Sequence, residues 1–222
     1  MGEAIGSMLA SAVGVAISPL PLIAVILMLA TPNGRANGTA FTLGWTAGLT
    51  AVVAVVVVAG SGLTTGGEKP VWAYWLKLAL GVLFALMAVK QWRDRPREGH
   101  EAAAPKWMRA VDRFTAARSA GLAFALVAAN PKNLVLAVGG AVSIATSGAG
   151  AGGKTVAAVL MVLIGSLCTS LPLGVYLLGG DRSAGVLGGW KEWMTVHNAA
   201  IMTTVLAVLG AKYIGDALTG LS

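Results

Sequence analysis

The chain alternates between long apolar segments and short polar segments rich in glycine, proline and asparagine. Six apolar segments reach the roughly 20 residues that a helix needs to cross the hydrocarbon core of a bilayer. A continuous apolar run over residues 52–59 argues against membrane β-strands, in which apolar and polar residues alternate. The pattern therefore predicts an all-α polytopic membrane protein with six transmembrane helices. We place these near residues 4–30, 38–60, 72–91, 119–146, 155–179 and 198–218.

Composition supports this fold class and excludes several functions. Of the 222 residues, 56% are hydrophobic and only 11% are charged, whereas soluble domains carry about 25% charged residues. A single cysteine, Cys168, excludes an intrachain disulfide, and the two histidines are too few for a histidine-built metal site. The sequence contains no evident nucleophile–base set or carboxylate pair. We therefore expect no enzymatic activity, no cofactor and no metal ion. The N-terminus lacks the basic region of a cleavable signal peptide.

The positive charges are distributed unevenly between the loops. Lys and Arg number eleven in the loops after spans 1, 3 and 5, against three on the other side. Loops rich in Lys and Arg remain in the cytoplasm. We therefore predict a multi-pass protein of the cell membrane with both termini outside. The net charge of +7 reflects this topology, and we expect no nucleic-acid partner.

Seven of the eleven Lys and Arg residues on the predicted cytoplasmic side lie in one loop, over residues 93–118, between the third and fourth spans. Inside the loop, Trp107, Val111 and Phe114 fall on one face at helical spacing, with Arg109 and Arg113 on another. Such a pattern predicts a short amphipathic helix lying on the cytoplasmic leaflet. The alternative is a solvated connector with incidental apolar residues.

The two halves of the chain resemble each other around their prolines. Residues 16–23 align with residues 128–135, which brings Pro19 opposite Pro131. Each half has three spans, and an odd number of spans inverts the second half in the membrane. We therefore predict two inverted three-helix repeats, 1–92 and 119–222, with the first and fourth helices broken at Pro19, Pro21 and Pro131. Broken helices that meet near the midplane are typical of inverted-repeat transporters. Plain proline kinks are the alternative.

Lys132 is the most informative polar residue of the predicted spans. It lies well inside span 4, where an ammonium group costs a few kcal/mol or more to bury. The matching position in the first half is Leu20, and the acid of span 6, Asp216, is placed to pair with Lys212. Lys132 is thus predicted to attract an anionic headgroup. The alternative is a structural post bonded to carbonyls at the helix break.

Three further polar residues lie beside the prolines. Asn130 and Asn133 flank Lys132, and Ser18 precedes Pro19. We predict that they bind and orient a substrate. Asn130 and Ser18 could equally well cap the helices that follow them.

Residues 18–29 (SPLPLIAVILML) and 129–134 (ANPKNL) together resemble the lysine exporter (LysE) superfamily. They are most similar to its GAP branch, the peptidoglycolipid or sulfolipid addressing proteins of mycobacteria and their relatives. The resemblance covers essentially the whole chain and implies export of glycolipids or other amphipathic molecules. Amino-acid exporters of the superfamily usually carry Asp or Asn just after the first proline motif. Here Leu20 and Leu22 stand around Pro21, which suits a lipid better.

The resulting hypothesis is a membrane transporter that exports a (glyco)lipid or another anionic amphipathic molecule towards the cell surface. Besides this substrate and the membrane lipids, the expected partners are a second copy of the chain or a lipid-export machinery. An exporter of a small solute such as an amino acid is the first alternative, and it predicts a small closed polar cavity. A non-transporting scaffold is the second, and it predicts a Lys132 site that is packed shut.

Overall fold

A computed structural model describes residues 2–62, 71–95 and 114–221. Within these ranges all regular structure is helical, which confirms the all-α fold class. The predicted amphipathic helix around Trp107, and most of the predicted basic loop, lie outside the described residues. The helices are α1 (Gly2–Ala16), α2 (Pro19–Leu29), α3 (Gly34–Gly62), α4 (Val71–Arg93), α5 (Ala116–Ala128), α6 (Pro131–Ala145), α7 (Ala151–Gly165), α8 (Leu167–Leu178) and α9 (Ser183–Leu221).

Six membrane spans account for these helices. By length and composition, α3, α4 and α9 can each cross a bilayer alone. The other three spans are bent pairs: α1–α2 turns by 46°, α5–α6 by 65° and α7–α8 by 54°. Each bend is less than a right angle, so the second helix of a pair still advances along the direction of the first. The chain is therefore a polytopic membrane protein of about six spans, as predicted.

The sixth span differs from its prediction at its start. We predicted residues 198–218, whereas α9 begins at Ser183 and includes Lys191 and Glu192. Polar side chains interrupt the apolar pattern there without interrupting the backbone hydrogen bonds of the helix. At about 1.5 Å per residue, α9 is longer than the roughly 30 Å hydrocarbon core. Its first turns therefore extend past the apolar zone.

The spans of the two predicted repeats are interlocked. Helix α3 packs on α5 and α6, while α7 packs on α1 and α8 packs on α2. The second span of each half thus lies against the broken span of the other half. The third spans, α4 and α9, pack against each other along their length. That the two halves are inverted three-helix repeats stays a prediction.

Contacts between helix ends place both termini at the same end of the bundle. Glu3 Oε2 accepts a hydrogen bond of 3.4 Å from the backbone N–H of Gly148, in the α6–α7 loop. At the other terminus, Gly220 lies directly against the ring of Tyr74 in the first turn of α4. The segment after α4, which leads into the predicted basic loop, is therefore at the opposite end.

A close helix contact holds α3 against α5. Gly44 and Gly48 form a GxxxG pair, a spacing that predicts tight packing of membrane helices. A Cβ atom on Gly44 would overlap the backbone of Ala120, and one on Gly48 would lie 3.2 Å from the ring of Phe124. Gly44 is thus required for the close approach, whereas a methyl group on Gly48 would need Phe124 to shift by a few tenths of an ångström, and the tight packing of this pair is confirmed. Beside them, Trp45 is fully buried.

Candidate functional site

The first helix break, at Ser18, separates α1 from α2. A residue before proline is restricted to extended backbone, and Ser18 has φ −70° and ψ 116°. Pro19 and Pro21 both lie in the first turn of α2, where backbone N–H groups have no acceptor inside the helix. Proline therefore starts a new helix here at little cost. The break is a helix start and not a kink within a continuous helix.

The second break, at Asn130, repeats this geometry between α5 and α6. Asn130 precedes Pro131 and has φ −82° and ψ 113°, which lie in the same extended region as the φ −70° and ψ 116° of Ser18. Its Oδ1 accepts a hydrogen bond of 3.1 Å from the backbone N–H of Lys132, as an N-cap residue does. The two proline motifs are thus alike in local structure as well as in sequence.

A buried hydrogen bond joins the two breaks. Ser18 Oγ donates to Asn133 Oδ1 over 3.0 Å, and Asn133 Nδ2 donates to the carbonyl of Leu126 over 3.1 Å. Ser18 and Asn133 are each only 1% exposed. The Leu126 carbonyl lies in the last turn of α5, where carbonyls have lost their partners inside the helix. These bonds bring the two proline motifs together.

These bonds also bear on the predicted substrate-binding roles of the three polar residues. Asn130 Oδ1 caps α6, while Ser18 and Asn133 bind each other. Asn130 Oδ1, the Ser18 hydroxyl and both polar atoms of the Asn133 side chain thus have partners inside the protein. That they also bind and orient a substrate stays a prediction.

Lys132 lies on the open side of the second break. Its side chain is half-buried, and the flanking Ala129 and Pro131 are exposed, as is Phe124 two turns earlier. No oxygen among the described residues accepts a hydrogen bond from Lys132 Nζ or forms an ion pair with it. In contrast, Lys212 and Asp216 form the predicted ion pair, at 2.8 Å.

A third break, at Ser166, was missing from the sequence prediction, which treated residues 155–179 as one unbroken helix. It divides the fifth span into α7 and α8. Helix α3 supplies a partner for the interrupted backbone, since Trp45 Nε1 donates to the Gly165 carbonyl over 3.1 Å. It also contacts the side chain at the break, where Thr46 Oγ1 donates to Ser166 Oγ over 3.2 Å. Pro172 within α8 did not mark this break, since the helical hydrogen bond that a proline removes would end here at Cys168, inside α8.

The third break lies close to the other two. A Cβ atom on Gly165 would lie 3.2 Å from Cγ1 of Val15, and Val15 lies one turn before Ser18. All three bent spans therefore turn in the same layer of the bundle. The described residues contain no group of three or more His, Cys, Asp or Glu side chains that could hold a metal ion. Cys168, beside the third break, is free and buried.

A comparison with family models identifies the wider group. The model described as Sap, sulfolipid-1-addressing protein, matches residues 8–219. The chain belongs to this sulfolipid-1-addressing family. The match covers all three breaks and Lys132, and it confirms the resemblance to the sulfolipid-addressing branch. Membership of the sulfolipid-1-addressing family implies a part in sulfolipid-1 addressing. Searches of curated proteins and of solved structures give no match.

Proposed function

We propose that the protein exports an anionic (glyco)lipid, or a similar amphipathic molecule, towards the cell surface, and that Lys132 attracts its headgroup. The observation that carries the proposal is the Lys132 ammonium group. It is half-buried at the junction of two broken helices and has no acceptor among the described residues. Membership of a family described by sulfolipid addressing supports a substrate with an acidic headgroup.

Electrostatics gives the physical reason for recruitment. An ammonium group inside the apolar zone is costly, so it is retained where it meets water, an acidic partner or an anionic ligand. The acid of the last span, Asp216, already pairs with Lys212. A sulfate or phosphate headgroup would therefore be attracted by the Lys132 ammonium group, which no carboxylate of the described residues neutralises.

The surroundings of Lys132 favour a lipid over the two alternatives. Exposed apolar residues flank the cation, so a headgroup can approach while its chains stay in the bilayer. A scaffold with a closed site would instead bury this surface. An amino-acid exporter needs several free polar groups for a zwitterion, whereas Asn130 Oδ1 and both polar atoms of the Asn133 side chain are already bonded within the protein.

The two proline breaks supply the movement in this proposal. At Ser18 and Asn130 the backbone is extended and leaves the helical hydrogen-bond pattern, so rotation there disturbs few bonds. Helices α2 and α6 would tilt about these points, while the close-packed α3–α5 contact stays fixed. Lys132, two residues past the second break, would then move between the two sides of the membrane with its bound headgroup.

Substitution of Lys132 tests the proposal. Lys132→Met keeps the length of the side chain and removes its charge, and we expect export to fall about tenfold or more, since a hydrogen bond to a charged group contributes ~1.5–3 kcal/mol. Lys132→Arg should keep part of the activity, because the charge remains in a different geometry. The measurement compares surface and cell-retained lipid pools in a deletion strain that expresses each variant at known membrane abundance.

The exposed Lys90, at the end of α4, provides the matched control. Lys90→Met removes one charge far from the breaks and should export normally. Normal export by Lys132→Met would show that Lys132 is not the recruiting charge. Loss of folded protein in Lys132→Met would assign the lysine a structural role. If the strain without the gene exports its lipids normally but loses export of a small solute, the first alternative is correct.

A further inference from the structure

A groove between α3 and α7 opens sideways from the bundle, away from Lys132. Its inner part has a volume of about 340 Å³ and its outer part about 370 Å³. Val57, Val58 and Thr155 line both parts, so the two form one continuous channel along the helices. At its outer limit the channel reaches Ser61, near the end of α3, and Lys154, in the first turn of α7.

The walls of the inner part are apolar, although two of the lining residues are threonines. Valine and leucine side chains such as Val159 and Leu163 form most of the surface. Thr50 and Thr155 also line it, but Thr50 Oγ1 donates to the carbonyl of Thr46 over 2.7 Å and Thr155 Oγ1 to that of Ala151 over 3.0 Å. Both hydroxyl groups are thus used within their own helices. The groove offers a hydrocarbon surface without a polar handle.

The outer end of the groove carries a positive charge. Lys154 Nζ donates to the Ala145 carbonyl over 2.6 Å and to Ser61 Oγ over 3.3 Å. Both acceptors are neutral oxygens, so these contacts orient the ammonium group without neutralising it. An ammonium group has three donors, and the bonds to Ala145 and Ser61 use two of them. Among the described residues no other acceptor is bonded to Lys154 Nζ, so a third donor remains for an anion at the mouth of the groove.

The length of the groove matches one leaflet of the membrane. From Thr50 to Ser61, α3 rises by about 16 Å at ~1.5 Å per residue, which is roughly half of the ~30 Å hydrocarbon core. Lys154 then lies at the level of the headgroups. This end of the bundle also holds both termini, so the leaflet is the outer one in the orientation that the charge pattern predicts.

We propose that this groove is a binding site for an anionic phospholipid of that leaflet. One acyl chain lies between α3 and α7, and the phosphate group contacts Lys154. An apolar channel with a cation at its headgroup end fits a molecule that has a hydrocarbon chain attached to an anion. The proposal concerns binding alone and does not depend on the export proposed above.

Lipid binding to the purified protein tests the site. Detergent-solubilised protein is titrated with phosphatidylglycerol or phosphatidylcholine of the same chains, and bound lipid is counted by native mass spectrometry. We expect the wild type to favour phosphatidylglycerol, and Lys154→Gln to lower its affinity about fivefold, since one lysine near the membrane surface contributes ~1 kcal/mol. Lys154→Arg should retain the preference. Glycerol phosphate, the headgroup without chains, should not bind at the same concentrations.

A second variant tests the apolar part without touching the cation. Ala54 is exposed within the groove, so Ala54→Trp fills the channel and should lower phosphatidylglycerol binding. Ala51 is exposed on the same helix but does not line the groove, and Ala51→Trp is the matched control with unchanged binding. If Lys154→Gln unfolds because the bond to Ala145 is lost, phosphatidylglycerol binding by Ala54→Trp and Lys154→Arg tests the site instead.

Three results would overturn the proposal. The wild type could bind the two lipids equally, or Lys154→Gln and Ala54→Trp could both bind phosphatidylglycerol like the wild type. A dimer that dissociates on Ala54→Trp would instead assign the groove to a second copy of the chain. Because bound lipid is the readout, a protein that fails to export lipid can still bind phosphatidylglycerol in the groove. A protein that exports lipid can likewise lack this binding site.

Discussion

At the scale of single residues, the polar side chains near the helix breaks separate into two groups. Ser18 and Asn133 bond to each other in a dry environment, and Asn130 caps α6. Lys132, one residue before Asn133, is half-buried without such a partner among the described residues. The first group fixes the two breaks relative to each other. Lys132 is the one of these four side chains for which the described residues supply no hydrogen-bond partner.

The Ser18–Asn133 bond predicts a measurable coupling. Ser18→Ala and Asn133→Ala should each lower the free energy of unfolding, and the double variant should lose less than the sum of the two. The expected coupling is about 0.6 kcal/mol, an average value for hydrogen bonds between membrane helices. A double-mutant cycle measured by unfolding in mixed micelles gives this number. Strict additivity would mean that the 3.0 Å contact contributes nothing to stability.

At the scale of helices, the close contact between α3 and α5 is linked to the break between α7 and α8. Glycines let α3 pack against the backbone of α5, and this places Trp45 beside the interruption of α7–α8. The indole N–H then supplies a partner for the Gly165 carbonyl. A membrane provides no water to satisfy such a group, so a neighbouring helix has to do it. Straight α3 therefore supports the bend in the span that lies against it.

The α3–α5 contact gives a stability prediction with a close control. In Gly44→Ala the new methyl group would overlap the backbone of Ala120, which cannot rotate away. We expect a loss of ~1–3 kcal/mol in the free energy of unfolding, as for other overpacked sites. Gly121→Ala, on α5, adds its methyl group to open space and should be neutral or stabilising by up to ~1 kcal/mol. Equal stabilities of the two variants would contradict the close approach.

At the scale of the whole molecule, six spans bring both termini to one end of the bundle. Loops that follow the odd-numbered spans lie at the other end, where most of the Lys and Arg residues are found. The positions of the helix ends and the charge pattern therefore assign the same loops to the same side of the membrane. Which side faces the cytoplasm rests on the charge bias alone.

Cysteine labelling in intact cells tests this orientation. In a Cys168→Ala background, Gly152→Cys lies at the end with the termini, and Asp94→Cys lies at the opposite end. Both positions are exposed, and Gly152 has open space around it. A membrane-impermeant maleimide should label Gly152→Cys and leave Asp94→Cys unlabelled until the cells are opened. The reverse pattern would invert the predicted topology.

The amino-acid sequence alone determined the number of spans, most of their bounds and the two proline breaks. These features depend on local chemistry: apolar length sets a span, and proline fixes the backbone of the residue before it. The Lys212–Asp216 pair was predictable for the same reason, since four residues along a helix bring the side chains together.

The tertiary structure alone decided the third break, the Ser18–Asn133 bond and the groove that ends at Lys154. Each of these joins residues far apart in the chain, such as Trp45 with Gly165, and no local pattern records that partnership. The start of α9 belongs with them, because a helix continues past the membrane wherever its backbone hydrogen bonds can. The apolar pattern of a span indicates where the hydrocarbon core of the membrane begins. The packing of the helices decides which polar groups inside that core have a hydrogen-bond partner.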